Sequence, residues 1–334
     1  MSAKYLMLAL NSPQVTPQFT VQTKGTTRPR VNLKHIRAIN LPVAPLPEQH
    51  RIVEKIETLF ARLDKGEEAL RAVQTLLARY RQSVLKAAVT GRLTGSDTET
   101  WKLATLGALL EDIRYGTAKK CLPGVEGIAV LRIPNVANGE IDLHELKYTQ
   151  LDDREVEKLV LKKGDLLIVR SNGSANLVGR GAVVNDDGVG LAFAGYLIRL
   201  RVDQKQLLPD FLQLVLSSPI VRARIEREAR STSGVHNLNS GEVKAITFDL
   251  PPIDVQAEII EAVDECMASI GTLMAWCQTE LTRSAALRQS VLKDAFSGRL
   301  VPQDPNDEPA TDLLARIRRN RTAASRSERR EATA

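Results

Sequence analysis

Two stretches of this 334-residue chain are copies of one another. Pro45–Leu93 aligns with Pro252–Leu300 at a constant offset of 207 and without a gap. Arg81–Lys86 returns as Arg288–Lys293, Gly91–Leu93 as Gly298–Leu300, and Pro45 and Gln49 as Pro252 and Gln256. A second likeness, Tyr5–Pro13 with Phe211–Pro219 at an offset of 206, puts the same domain ending ahead of each copy. The repeating unit is therefore a globular part followed by a long segment, and this constrains the fold more than any local propensity. The second unit is complete, from Trp101 to about Leu300. Residues 1–94 match only the last part of a unit, so roughly the first half of the repeat is absent from this chain.

Both copied segments read as long helices. In the first, apolar positions alternate spacings of four and three: Ile52, Ile56, Leu59, Leu63, then Gly66 as an interruption, then Leu70, Val73, Leu77, Tyr80, Val84 and Ala87. That is heptad periodicity. The second copy carries Ile259, Val263, Cys266, Ile270, Leu273, Cys277, Glu280, Ser284, Leu287 and Val291, apolar except in the middle. A helix of about 40 residues extends about 60 Å, too far to lie on one small domain. Each helix is therefore expected to pack on the other as a coiled coil. The pair must be antiparallel if the intervening domain starts and ends near one place. The residues expected in this seam are Ile52, Ile56, Leu59, Leu63, Leu70, Val73, Leu77 and Val84, facing Ile259, Val263, Ile270, Leu273, Leu287 and Val291. Gly91 and Gly298 fall where a helix C-cap is expected. Two independent surface helices are the alternative, and the helix length argues against it.

From Trp101 to about Leu250 the pattern changes to short β-branched runs bounded by glycines, at Gly127–Ile133, Gly164–Ser171, Gly179–Val184 and Gly190–Val202. These predict strands. Helical runs follow at Pro209–Leu216 and Ile220–Arg230, and a helical element is expected to open the region around Leu106–Asp112. The fold class expected is α+β, a domain with a mainly antiparallel, curved sheet plus the two long antiparallel helices.

Composition bounds function less sharply. Lys and Arg outnumber Asp and Glu by 46 to 40, a mild excess that permits contact with phosphates. Cys121, Cys266 and Cys277 form no C-x-x-C pair and are odd in number, which fits a reducing cytoplasm rather than a disulfide framework or a structural zinc site. No apolar run is long enough to cross a bilayer, so no membrane is expected. Enzyme motifs are weak. Leu250-Pro251-Pro252-Ile253 lacks the amide and the aromatic that an amino-methyltransferase core needs. No glycine-rich cofactor or nucleotide loop is present. Pro209-Asp210 with Glu242-Val243-Lys244 matches a metal-dependent nuclease in letters, but Asp210 reads better as a helix start. His35, His50, His144 and His236 have no ligand spacing.

Polar residues instead collect at the strand ends. Tyr115 and Thr117, Arg132 and Asn135, then Arg170, Ser171, Asn172 and Ser174, then Arg180, and finally His236, Asn237 and Asn239 form the candidate DNA-binding set, with Ser233 and Gly234 in the same loop. Arginine forks match guanine O6 and N7, asparagine amides match adenine N6 and N7, and hydroxyls suit phosphate oxygens. For any single residue, a turn former or a solvated charge is the plainer explanation. Only the set carries weight.

With these residues in hand, the whole chain resembles the specificity subunit of type I restriction-modification systems. The marks are P-L-P-E-Q at Pro45–Gln49, the R-Q-S-V-L-K run and G-R-L ending of both copies, G-D-L-L-I-V-R-S-N-G-S at Gly164–Ser174, and the stretch from Pro302 to Ala310. The resemblance implies two target-recognition domains alternating with two long helices. Each domain would read half of a split target on double-stranded DNA. The helices would set the unread gap and dock methyltransferase (modification) subunits, with restriction subunits joining through the complex. It implies no catalysis by this chain, and S-adenosylmethionine, ATP and Mg²⁺ on the partners. The departure is at the start, where a truncated first recognition domain is expected. The expected segments are 1–44, a remnant of that domain; 45–94, the first helix; 95–251, the complete recognition domain; 252–301, the second helix; and 302–334, a mostly disordered tail with a short helix over Thr311–Arg318. Self-pairing through the helices, a scaffold that touches no DNA, and the inactive relic of a truncated gene are the alternatives.

Overall fold

The computed structural model describes residues 1–20, 31–228, 230–232 and 235–331. The chain divides into two compact units, Met1–Thr75 with Leu273–Ala334, and Leu76–Thr272. In chain order the first elements are α1 (Ala3–Leu10), α2 (Thr16–Thr20), α3 (Leu33–Arg37) and the 43-residue α4 (Leu46–Ala88). Strands β1 (Lys102–Thr105), β2 (Leu110–Tyr115), β3 (Ile128–Leu131) and β4 (Lys147–Thr149) follow, then α5 (Asp153–Leu159). Next come β5 (Leu166–Val169), β6 (Ser171–Asn172), β7 (Gly181–Val183), β8 (Ala192–Phe193) and β9 (Leu197–Val202). The chain continues through α6 (Pro209–Ser217), α7 (Pro219–Glu228), β10 (Arg230–Thr232), β11 (Val235–Asn237), α8 (Ser240–Lys244), β12 (Thr247–Leu250), the 43-residue α9 (Ile253–Ala295) and α10 (Ala310–Glu331).

The expected mixed class is observed. In the second unit a four-stranded sheet of order β2-β9-β5-β7 is antiparallel throughout. A β4-β3-β8 sheet contains one parallel pair, β3 with β8, and β10-β11-β6 and β1-β12 are antiparallel. One face of the four-stranded sheet carries Leu166, Ile168, Ile198 and Leu200 into a core shared with α6, α7 and the segments of α4 and α9 that lie in this unit. The other face carries Leu167, Val169 and Leu197 into a second core with Leu131 and Phe193. This alternation is the period-2 pattern of a sheet covered on both sides.

Two readings of this region are corrected. Leu106–Asp112 is not a helix: a single 3-10 turn, Leu106–Ala108, leads into β2, which is bulged between Leu110 and Asp112 and pairs with β9. The run Gly190–Val202 is two strands rather than one, because the chain turns at Ala194–Tyr196, where Gly195 N–H donates to Thr117 O at 2.8 Å.

The two long helices run antiparallel wherever they meet within a unit. In the first unit Ile52 and Ile56 of α4 share a core with Leu292, Ala295 and Phe296. Further along α4 and further back along α9, Arg288 pairs with Asp64 at 2.6 Å and with Glu67 at 3.0 Å, and Ser284 Oγ donates to Glu67 at 2.8 Å. In the second unit Val84 and Ala88 share a core with Ile259 and Val263. Of the expected seam, Ile52, Ile56, Leu77, Val84, Ile259, Val263 and Ile270 are buried, and Leu59, Leu63, Leu70 and Val291 are half-buried. Val73, Leu273 and Leu287 are not seam residues, since they are 39%, 47% and 45% exposed. Beside Leu287 the first unit's helix pairing is polar instead, through Glu67, Ser284 and Arg288. The Ser284 and Arg288 bonds hold the Glu67 carboxyl below the usual glutamate range.

The duplication extends to hydrogen bonds. Gln49 and Gln256 are both fully buried. Gln49 accepts from Ser2 N and donates to Ala44 O; Gln256 accepts from Leu208 N and donates to Pro251 O. Asn32 and Asn239 likewise each cap a short helix. Gly91 and Gly298 adopt φ of 71° and 73°, the left-handed C-cap conformation that favours glycine. The tail departs from the expected disorder: α10 covers Ala310–Glu331, favoured by its Ala, Arg and Glu content and by paired Arg316 and Glu308.

Candidate nucleic-acid interface

Arg170 follows β5, and its backbone is fixed on both sides. Its N–H donates to Tyr196 O at 2.8 Å, and its carbonyl accepts from Leu238 N at 2.9 Å. The guanidinium lies 4.5 Å from the centroid of the Tyr115 ring. Tyr115 ends β2, and its hydroxyl accepts from Ser240 N at 2.8 Å. Three elements distant in sequence therefore hold one arginine over an aromatic face. That arrangement desolvates one side of the guanidinium, and its Nε is buried without a partner, so a bidentate contact would fall to the two terminal nitrogens. Between Tyr115 and Thr117 the chain requires glycine: a Cβ on Gly116 would lie 2.3 Å from the carbonyl oxygens of Phe193 and Ala194.

Ser171 and Asn172 form β6, which pairs with β11 so that Asn172 faces His236 and Ser171 faces Asn237. Five of the expected residues thus lie on Arg170 and the short sheet it leads into. Asn172 Oδ1 accepts from Ser174 N at 2.9 Å and fixes the exposed turn that follows. Ser233 and Gly234 lie outside the described residues.

Other candidates have internal duties. Asn135 is 2% exposed, accepts from Arg132 N and donates to Asp142 O and His144 O, so its amide holds its own loop. Asn239 caps α8 by accepting from Glu242 N. Glu242 in turn accepts from Asn239 N, so that carboxylate serves the cap. Thr117 is 7% exposed and accepts from Lys119 N. Arg180 is exposed and donates to Asn176 O. Sequence patterns alone cannot distinguish an amide that caps a turn from one that reads a base, because both favour strand ends.

The sequence reading missed a basic cavity of about 700 Å³ lined by Thr117, Lys119, Lys120, Cys121, Arg132, Lys147 and Tyr196. Lys147 joins the other cations because β4 pairs with β3, and because Leu122 and Tyr148 bridge the two segments. Lys119 is tied to Glu155 at 2.5 Å and holds that carboxyl below its usual range. Arg132 donates to Glu145 O at 2.5 Å, and its Nε is buried without a partner. Burial pushes the Cys121 thiol up against the opposing pull of Arg132 and Lys147, which places both charges close to it. The Lys119-Lys120 pair was the available signal, but nothing in spacing ties it to Lys147. Among the described residues no group of three His, Cys, Asp or Glu could hold a metal ion, and no helix is long and apolar enough to cross a membrane.

Comparison with known proteins gives a consistent result. Residues 1–71 match the family model described as the type I restriction modification DNA specificity domain. The chain is 33% identical over 284 residues to the StySPI specificity subunit of Salmonella potsdam, covering 83% of this chain and 60% of that one. It is 31% identical over 301 residues to the EcoKI specificity subunit of Escherichia coli K12, covering 86% and 65%. The chain thus spans less than two thirds of the length of these two relatives. Its fold matches, with a TM-score of 0.72 and 21% identity, a chain solved in a study of assembly and conformational transition of the type I R-M system, covering 89% of this chain and 71% of that one.

Proposed function

Because the chain belongs to the family of type I restriction-modification specificity subunits, we propose that residues 102–250 read one half of a split sequence on double-stranded DNA for partner subunits that do the chemistry. The observation that carries this reading is the Arg170–Tyr115 stack, whose backbone is tied to Tyr196 in the wall of the basic cavity. A fixed arginine fork supplies base discrimination, and neighbouring lysines supply sequence-independent attraction to phosphates. The long helices carry the modification subunits and set the unread gap, with restriction subunits recruited through them. S-adenosylmethionine, ATP and Mg²⁺ belong to those partners, and this chain contributes binding and register alone.

The cavity lysines and Arg170 should separate in their effects. Replacing Lys120 and Lys147 together by alanine in the assembled complex is expected to weaken specific and random DNA alike. It should also reduce the slope of log affinity against log salt by about 0.9 for each phosphate that is no longer neutralised. Titrations across a salt series check this. An unchanged slope, with both DNAs still bound, would leave the helical scaffold as the better reading.

A further inference from the structure

We propose that the cavity beside the start of α4 is a binding site for a cationic side chain, arginine or lysine, presented by a partner polypeptide. The cavity has a volume of about 410 Å³, and its walls include Tyr5, Pro45, Glu48, Ile52, Phe296 and Gly298. Glu48 is 5% exposed, and among the described residues its carboxylate has no hydrogen bond or ion pair. A mostly buried carboxylate that no group of the described chain bonds keeps its oxygens available to a guest in the cavity. The adjacent cation, Arg51, lies within electrostatic reach of Glu48 but makes its bonds, of 2.6 and 3.4 Å, to Asp307.

The surroundings favour a positive guest. Glu48 stands in the first turn of α4, at the positive end of the helix dipole, and that dipole gives it no hydrogen bond. The same cavity receives the C-terminal end of α9, Ala295 to Gly298, whose dipole end is negative. Tyr5 and Phe296 stand edge to face with centroids 5.2 Å apart, and their rings, with Ile52 and Pro45, can sheath an aliphatic stem. A hard divalent ion would need six or more oxygens, whereas one carboxylate lies in this wall.

The duplication supplies an internal control. At the offset of 207 that superposes Gln49 on Gln256, Glu48 corresponds to Val255. The second copy starts its 43-residue helix with the same glutamine tie and without the carboxylate. The first-turn acid of the second helix, Asp254, stands one residue earlier, so the module keeps an acid at the helix start but does not require it beside the glutamine.

The test uses the full chain with its isoleucine methyls labelled, so that Ile52 reports on the cavity by NMR. N-acetyl-argininamide is titrated into the wild type, Glu48→Gln and Glu48→Val, with N-acetyl-norleucinamide and MgCl₂ as separate controls. The expected result is a saturable shift at Ile52 with the arginine probe, weakened about tenfold or more in both variants and absent with norleucine. Glu48→Val copies the arrangement at Val255, so loss of binding there is not loss of fold. No shift in the wild type, an equal shift in both variants, or a response to Mg²⁺ in place of arginine would overturn the proposal. The experiment contains no DNA, so its outcome is independent of the recognition reading.

Discussion

Replacing Arg170 by alanine in the assembled complex is expected to cut sequence-specific DNA affinity about 5- to 150-fold while leaving binding to random DNA nearly unchanged. The range is the value of one bidentate base contact, about 1–3 kcal/mol. Folding should survive, because the ties from residue 170 to Tyr196 and Leu238 are backbone bonds that alanine also makes. Arg170→Lys should lose nearly as much as alanine, since an ammonium keeps the charge but cannot present a planar fork or stack equally well on Tyr115. Competition titrations with target and random duplexes read both quantities. An equal drop on both duplexes would reassign Arg170 to phosphate binding.

The largest effect on stability should come from Arg199. It is 3% exposed in β9, between Arg114 of β2 and Leu167 of β5. Its guanidinium donates to Asp112 and to the carbonyls of Lys158 and Val160, and it lies 4.0 Å from Asp165. Asp165 is 1% exposed and also accepts two 2.7 Å bonds from Arg201. Arg199→Met fills similar volume but orphans two carbonyls and removes one cation from a pair of acids. The expected cost is about 3–5 kcal/mol, or roughly 6–20 °C in Tm for a domain of this size. The acid limb should change too. Burial alone would raise the Asp112 carboxyl, but bonds from Arg114 and Arg199 hold it below the usual aspartate range. A depressed carboxyl contributes stability above its unfolded pKa and loses it as pH falls through the folded value. The Met variant should therefore lose less stability than wild type as the solution is acidified through that range. Thermal melts at neutral and acid pH measure both effects, and a variant as stable as wild type would contradict this account of the sheet.

The duplication was legible because its two copies do the same physical work. Gln49 and Gln256 recur since each ties the end of one domain to the start of a long helix, a job no apolar residue can do. The glycine-bounded strands were legible for a similar reason, since burial on both sheet faces leaves runs such as Leu166–Val169. The heptad pattern named two stripes, but only packing decides which one is covered, and Val73, Leu273 and Leu287 stayed exposed. Leu106–Asp112 looked helical because its apolar spacing fits both periods, and pairing with β9 chose the strand. Asn135 and Arg170 look alike in sequence, yet one amide is consumed by its loop while one fork is held by Tyr115. Of the cavity lysines only the Lys119-Lys120 pair was visible, because the pairing of β3 with β4, and not spacing, brings Lys147 into the same wall.

The most direct measurement is methylation mapping in cells that express this chain with its modification subunits, before and after residues 102–250 are exchanged for the matching segment of a relative. The account predicts a split motif in which one half follows the exchanged segment while the gap between the halves keeps its length. A motif that is unchanged by the exchange would contradict it.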